Sequence, residues 1–266
     1  MKLQNQINLS NKNIIINGGL GLIGFQISSK CLQNGAKILI IDKNKKNLNL
    51  FLKKNLIYSD NIQVLIKDTA NKKNIKNIIS SVKKFKNFDT FINCAYPRDN
   101  NWKENNFDGK NISSFLKNVE LNFLSNIYFT KEIAEIMKKR KINSSIILFS
   151  SIYGMVGQDL DIYNNSKIRE NISYSFIKGG ILNYTKLMAS YYGKYKIRVN
   201  CISPGGIKDQ SGVQDKNFIK NYSKRVPIKR MADSEEIANT ALFLCSDLST
   251  YMNGSNLVVD GGWTSI

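Results

Sequence analysis

Seven short runs punctuate the chain: NIIIN (13–17), AKILII (36–41), IQVLI (62–66), FDTFIN (88–93), SIILFS (145–150), IRVNCI (197–202) and NLVVD (256–260). Each is nearly continuous in apolar, mostly β-branched residues. That is the pattern of a parallel strand buried on both faces, not of a strand with one wet side. Between them lie segments with helical periodicity, at 21–34, 71–86, 111–140, 171–194 and 233–246. Such alternation predicts an α/β fold: a Rossmann-type, doubly wound parallel sheet of about seven strands with helices on both faces. No repeat or linker interrupts the pattern, so residues 1–266 are expected to form a single domain. The least regular stretches, 96–110, 154–173 and 205–229, each follow the C-terminal end of a strand. Open α/β sheets bind their ligands at that edge.

Composition removes several classes of function. Hydrophobic residues make up 42%, which suits a globular chain. There is no histidine, which excludes His-based triads and His-ligated metal sites. Cys31, Cys94, Cys201 and Cys245 are scattered with no Cys-x-x-Cys pair, so reduced thiols, a cytoplasmic location and no metal site are expected. No apolar run approaches a membrane span, and MKLQNQINLSNKNIIINGG lacks a signal-peptide pattern. The net charge is +19, but the lysines are dispersed and no aromatic-and-basic module accompanies them. A nucleic-acid partner is therefore not expected; the surplus is a solvated surface or a bias toward anionic small substrates.

The first strand runs into IIINGGLGLIG, where Gly18, Gly21 and Gly24 give G-x-x-G-x-x-G. Glycines at a strand-to-helix turn let the backbone approach a pyrophosphate, and the helix N-terminus adds N–H donors. Asp42 closes the second strand, 18 residues beyond Gly24. A carboxylate there accepts hydrogen bonds from ribose hydroxyls and repels a 2′-phosphate, favouring NAD(H), with NADP(H) as the alternative. Lys43 beside it argues the other way, and a plain strand-end aspartate is the bland reading. Tyr174 and Lys178, in YSFIK, share one helix face. Alone, such a pair is an ordinary solvated one. Its setting adds Ser150 and Ser151 at one strand end, Asn93 at another, and Asn122 inside a helical segment where a buried amide needs a reason.

These motifs, in this order, resemble the short-chain dehydrogenase/reductase family across residues 8 to 264. FINCAY is similar to its N-N-A-G element. YSFIKGGILNYTKLMASYYGKYKIRVNCISPGGI is similar to its catalytic helix and following strand, and RVPIKRMADSEEIANTALFLCSDLSTYMNGSNLVVDGGW to its C-terminal signature. The resemblance implies an Asn122–Ser151–Tyr174–Lys178 tetrad. Tyr174 would be the general acid/base. Lys178 would lower its pKa and bind the nicotinamide ribose. Ser151 would orient the substrate oxygen, and Asn122 would hold a relay water. It further implies cofactor contacts from Gly18, Gly21, Leu22, Ile23, Gly24, Asp42, Asp68, Thr69, Asn93, Ala95, Pro204 and Ile207. Three departures stand out. Leu22 occupies the place of the family's middle glycine. Asp209 stands where a threonine is common. Ser151 and Tyr174 are 23 residues apart, longer than usual, with the extra residues in GMVGQDLDIYNNSKIRENIS.

NCAYPRD and SSIYGMVGQDLDIYNN resemble the dehydrogenases of flagellin-modification and nonulosonic-acid sugar clusters. That implies a secondary alcohol or ketone on a sugar or nucleotide sugar in surface-glycan biosynthesis. Tyr96, Arg98, Tyr153 and Tyr163 are the candidate substrate contacts, since aromatic faces suit sugar rings and Arg98 suits a phosphate or carboxylate. The alternatives are a 3-oxoacyl-thioester (acyl carrier protein) reductase and a non-catalytic dinucleotide-binding protein. The family also implies a homotetramer or homodimer, joined partly through 111–140 and 171–194.

Overall fold

The computed structural model describes residues 7–85, 87–209, 212 and 214–266. Seven parallel strands form one sheet: β1 (Asn13–Asn17), β2 (Lys37–Asp42), β3 (Ile62–Ile66), β4 (Thr90–Asn93), β5 (Ser144–Phe149), β6 (Ile197–Pro204) and β7 (Asn256–Val259). Their order is β3-β2-β1-β4-β5-β6-β7. The direction of winding reverses between β1 and β4, which opens a crevice at their C-terminal ends.

The continuous apolar runs feed two cores at once, because successive strand residues face opposite sides. Ile15, Leu39, Phe91, Ile146 and Val199 pack into one core. It is covered by α3 (Lys72–Lys84), α5 (Phe129–Arg140) and α6 (Ile172–Tyr192). Their strand neighbours Ile14, Ile38, Ile92, Ile147 and Ile202 pack into the other, under α1 (Leu22–Gln33) and α8 (Ser234–Cys245). A third, smaller cluster of Ile152, Ile162, Tyr222, Val226, Met231 and Trp263 sits beyond the sheet edge.

The expected helix over 111–140 is interrupted. α4 (Ile112–Asn122) and α5 are joined by a π-helical turn, Phe123–Tyr128. Periodicity runs through such a turn without a visible break, and wide turns of this kind are common beside functional sites. Among the described residues two α-helices lie outside the expected segments: α2 (Leu48–Lys54) and α7 (Lys216–Arg225), the latter within 205–229. α7 is mostly polar and buries only Tyr222, so its pattern is weak. No helix among the described residues is long and apolar enough to cross a membrane.

Candidate active site

The glycine turn shows which of its members are obligatory. Gly18 has φ +76°, and a Cβ there would lie 2.9 Å from the Ala95 nitrogen. A Cβ on Gly24 would lie 2.1 Å from the Gly18 carbonyl oxygen. Gly21 has φ −76° and more room, at 3.4 Å from the same oxygen. Among the described residues no side chain caps α1, so the first-turn N–H groups, Leu22 and Ile23 among them, are open to a ligand. Leu22 is 44% exposed, so replacing the family's middle glycine leaves the turn unobstructed.

Asn17, Gly18, Gly21, Asp42, Lys43, Lys67, Asp68, Thr69, Ala95, Tyr96 and Pro97 line one crevice. Asp42 Oδ2 accepts from the Leu20 N–H at 3.0 Å, tying β2 to the glycine turn. Asp68 Oδ1 accepts from Ala70 N at 2.8 Å. Beneath them lies a buried polar network that the sequence reading caught only in part. Asn17 Nδ2 donates to Asn93 Oδ1 at 2.9 Å, and Thr69 Oγ1 lies 2.8 Å from Ser125 Oγ. Asn93 Nδ2 donates to the Ser125 carbonyl and Thr130 Oγ1 at 2.9 and 3.1 Å. Asn93 is thus fully enclosed and acts as a strut between sheet and π turn. Asn17, Ser125 and Thr130 were missed, because only the fold shows that they meet. Pro204 ends β6, and Ile207 bridges to Ala232 beside the same edge. Asp209 N donates to Gln214 Oε1 at 2.9 Å.

Tyr174 projects from the first turn of α6, whose N-cap is Asn171, accepting from Tyr174 N at 2.8 Å. Burial raises the Tyr174 phenol above its usual range, while the neighbouring Ser151 hydroxyl and the charge of Arg98 pull it back down. Ser151 caps the short 3₁₀ turn Ile152–Gly154, and its Oγ accepts from Tyr153 N at 3.2 Å. Lys178 is buried. Its Nζ donates to the Phe149 carbonyl at 2.8 Å and lies 4.9 and 5.6 Å from the Tyr96 and Tyr174 ring centres. Burial holds this ammonium down, at about 8. The cation that draws on the Tyr174 phenol here is Arg98, whereas the family pattern assigns that pull to Lys178. Ser150 Oγ donates to the Lys178 carbonyl at 2.8 Å, and a Cβ on Gly154 would lie 2.8 Å from that same oxygen. Gly154 therefore lets the strand-end loop press onto α6. Asn122 Nδ2 donates to the Pro97 and Asn118 carbonyls at 3.0 and 2.9 Å, and its Oδ1 accepts from Asn126 at 3.1 Å. Its side chain thus braces the Tyr96 loop against the π turn.

The candidate substrate residues divide. The Tyr96 and Tyr153 rings both meet Tyr174 edge-on, with centroids 5.2 and 6.5 Å away. Tyr153 also meets Trp263, at 6.2 Å, and its buried hydroxyl has no hydrogen bond of normal geometry among the described residues. Arg98 is exposed and lies over the Trp102 ring at 4.8 Å. Tyr163 instead stacks on Phe218 of α7 at 5.9 Å, with its hydroxyl donating to Gln158 Oε1 at 2.7 Å. The long 154–173 segment is clasped to α7: Ser166 Oγ and Lys167 N donate to Asp215, Asn221 to the Asn164 carbonyl, and Arg225 to Asp159.

A family model described as "Enoyl-(Acyl carrier protein) reductase" matches residues 21–264. Among curated proteins, "Post-translational flagellin modification protein A" of Campylobacter coli is 31% identical over 96% of this chain and 99% of its own length. "3-oxoacyl-[acyl-carrier-protein] reductase FabG" of Chlamydia pneumoniae is 29% identical, covering 97% of this chain and 99% of its own length. Among solved structures, a short chain dehydrogenase from Leptospira borgpetersenii with bound NAD+ superposes with a TM-score of 0.85 at 31% identity, covering 99% of this chain and 97% of that one.

Proposed function

The chain belongs to the short-chain dehydrogenase/reductase family, and from that premise we propose that it interconverts a secondary alcohol and a ketone on a sugar or nucleotide sugar, using NAD(H) in preference to NADP(H). The observation that carries this reading is the clustering of Ser151, Tyr174 and Lys178 beside Tyr96, which itself lines the crevice of the glycine turn.

The residues fit a dinucleotide. Gly18 and Gly24 keep clear a cradle that a Cβ would close, the α1 N-terminus offers uncapped donors, and Asp42 stands at the ribose end. When bound, the nicotinamide supplies the hydride chemistry at its C4. The chain supplies position and the proton. Ser151 holds the substrate oxygen beside Tyr174, and the phenol gives that oxygen a proton in reduction or takes one in oxidation. Lys178, with its pKa near 8, is still mostly a cation at neutral pH and faces both tyrosine rings. In this reading Lys178 holds the nicotinamide ribose, while the charge that draws on the Tyr174 phenol is that of Arg98. Asn122 positions the Tyr96 loop by donating to the Pro97 carbonyl just before the π turn.

The sugar reading is supported by the aromatic, hydroxyl-bearing Tyr96 and Tyr153 beside Tyr174, and by the relative named for flagellin modification. The FabG relative and the family description support a 3-oxoacyl-thioester reductase as the second reading. A homodimer or homotetramer forms in this reading through α4 and α6, which touch at Phe115 and Phe176 and leave Ile112, Leu116, Phe123, Phe176 and Leu187 exposed. The four cysteines are free thiols, consistent with a cytoplasmic setting.

The test is NADH formation or loss against a panel of nucleotide sugars, free sugars and 3-hydroxyacyl thioesters. Turnover of a sugar, reduced about 10²-fold or more in Tyr174→Phe with NADH affinity kept, is expected. Turnover of the thioester alone would move the protein to the second reading.

A further inference from the structure

Arg98 stands two residues beyond Tyr96, with its guanidinium carbon 4.8 Å from the centre of the Trp102 indole. Trp102 Nε1 donates to the Tyr96 hydroxyl at 3.3 Å, and the Tyr96 ring meets the Tyr174 ring at 5.2 Å. A chain of aromatic contacts therefore runs from the reactive phenol to Arg98. The loop that carries it is pinned to the first turn of α6, the turn that presents Tyr174. Asn171 Nδ2 donates to the Trp102 carbonyl at 2.8 Å, Ile172 N to the Asn105 carbonyl at 2.8 Å, and Asn105 Nδ2 to Ser173 Oγ at 3.2 Å.

The nearby carboxylates are engaged elsewhere. Asp99 Oδ1 accepts from Ser114 Oγ and Asn118 Nδ2 at 3.0 and 2.8 Å. Glu104 accepts from Asn111 at 2.8 Å, and Asp108 and Glu170 pair with Arg169 at 2.8 and 3.2 Å. Arg98 itself is exposed and, among the described residues, makes no hydrogen bond and no ion pair. A guanidinium laid against an indole keeps its fork of donors in one plane with the outer edge free, a geometry that suits carboxylate or phosphate oxygens.

We infer that Arg98, held by Trp102, is an anion anchor of the catalytic pocket, so that the sugar acted on at Tyr174 carries a carboxylate or a phosphate. The inference rests on the alcohol–ketone reading above and narrows its substrate. It also links binding to chemistry. Arg98 draws down the proton affinity of the Tyr174 phenol, so a bound anion that offsets its charge lets the phenol hold its proton more tightly.

The test is calorimetric titration of the NAD+-loaded protein with D-glucuronate, D-glucose 6-phosphate and neutral D-glucose, in wild type, Arg98→Gln and Arg98→Lys. One or both charged sugars should bind about tenfold or more tightly than glucose, as expected for a hydrogen-bonded charge pair. Glucuronate alone would identify a carboxylate, and glucose 6-phosphate alone a phosphate. Arg98→Gln should erase the difference, Arg98→Lys should retain part of it, and NADH affinity should hold in both. In parallel, the phenol titration obtained as wild type minus Tyr174→Phe should move to higher pH in Arg98→Gln. Equal or absent binding of charged and neutral sugars, or a preference that survives Arg98→Gln, overturns the anchor. A neutral sugar turned over through Tyr174 with Arg98→Gln silent also sinks the anchor, and leaves the dehydrogenase reading intact. Charged sugars bound through Arg98 with no turnover of any panel member would keep the anchor and sink that reading.

Discussion

Lys178 shows how one residue couples function to stability. Its ammonium is enclosed, with Nζ on the Phe149 carbonyl, and burial lowers its pKa from 10.5 to about 8. Between those two values the unfolded chain holds this proton and the native chain does not. Native stability therefore gains from this group as pH rises through that window, and the burial penalty is fully present below it. The span corresponds to on the order of 3 kcal/mol. Lys178→Met should remove this pH dependence, so in urea unfolding the wild type should gain on the variant between neutral pH and about pH 10. A gap that does not move with pH would show that the ammonium is solvated. Asp42 makes a second residue-scale case. Its carboxylate holds the Leu20 N–H on the crevice wall proposed to take the ribose, with Lys43 and Lys67 on the same lining. Asp42→Ser should lower the NAD+ to NADP+ ratio of kcat/KM by about tenfold or more, because the repelling charge goes and two lysines remain. An unchanged ratio would mean that Asp42 serves only the turn. At this scale spacing made legible the shared helix face of Tyr174 and Lys178, while the choice of Ser151 came from the family resemblance. The sequence was not legible where partners meet only through the fold, as with Arg98 on Trp102 or Asn17 on Asn93.

At the scale of elements, the glycine turn makes a graded prediction. Gly24→Ala would drive a Cβ to 2.1 Å from the Gly18 carbonyl oxygen, and Gly18→Ala would force a side chain onto φ +76° against Ala95. Both should weaken NADH binding about tenfold or more in a fluorescence titration. Gly21→Ala, at φ −76° with 3.4 Å of clearance, should stay within about twofold. Equal losses at all three would mean that the turn senses volume and not backbone geometry. The strands were legible because unbroken β-branched runs have few other uses, and α1, α3, α6 and α8 followed from their apolar stripes. α7 was not, since KNFIKNYSKR is held by an N-cap and by the 154–173 segment and has little apolar stripe of its own. Asp215 does both jobs, accepting from Phe218 N at 3.0 Å and from Ser166 and Lys167 at 2.7 and 2.8 Å. Asp215→Ala should therefore speed hydrogen exchange in α7 and in 159–168 together. Exchange rising in α7 alone would separate the two.

For the whole molecule, the outer faces of α4 and α6 are the surfaces through which assembly is proposed above. Ile112, Leu116 and Phe123 recur along one side of the α4 region, and Phe176 and Leu187 along α6. Spaced by whole helical turns, these residues lie on surfaces that neither sheet core uses. The same two helices carry the site: α6 presents Tyr174 and Lys178, and the π turn after α4 holds the Asn93 strut. Covering that face would brace α6 from behind. The double change Leu116→Arg, Leu187→Arg puts two charges on the proposed interface while leaving the crevice untouched. Light scattering after size exclusion should then show monomer where the wild type gives dimer or tetramer. Because burying the face also supports α6, the monomer should melt at lower temperature and lose kcat more than NADH affinity. A wild type that is monomeric at micromolar concentration would remove α4 and α6 as the interface. A dissociated variant with full kcat would instead separate assembly from catalysis, leaving the α6 contacts to Phe149, Ser150 and Asn105 sufficient to hold Tyr174 in place.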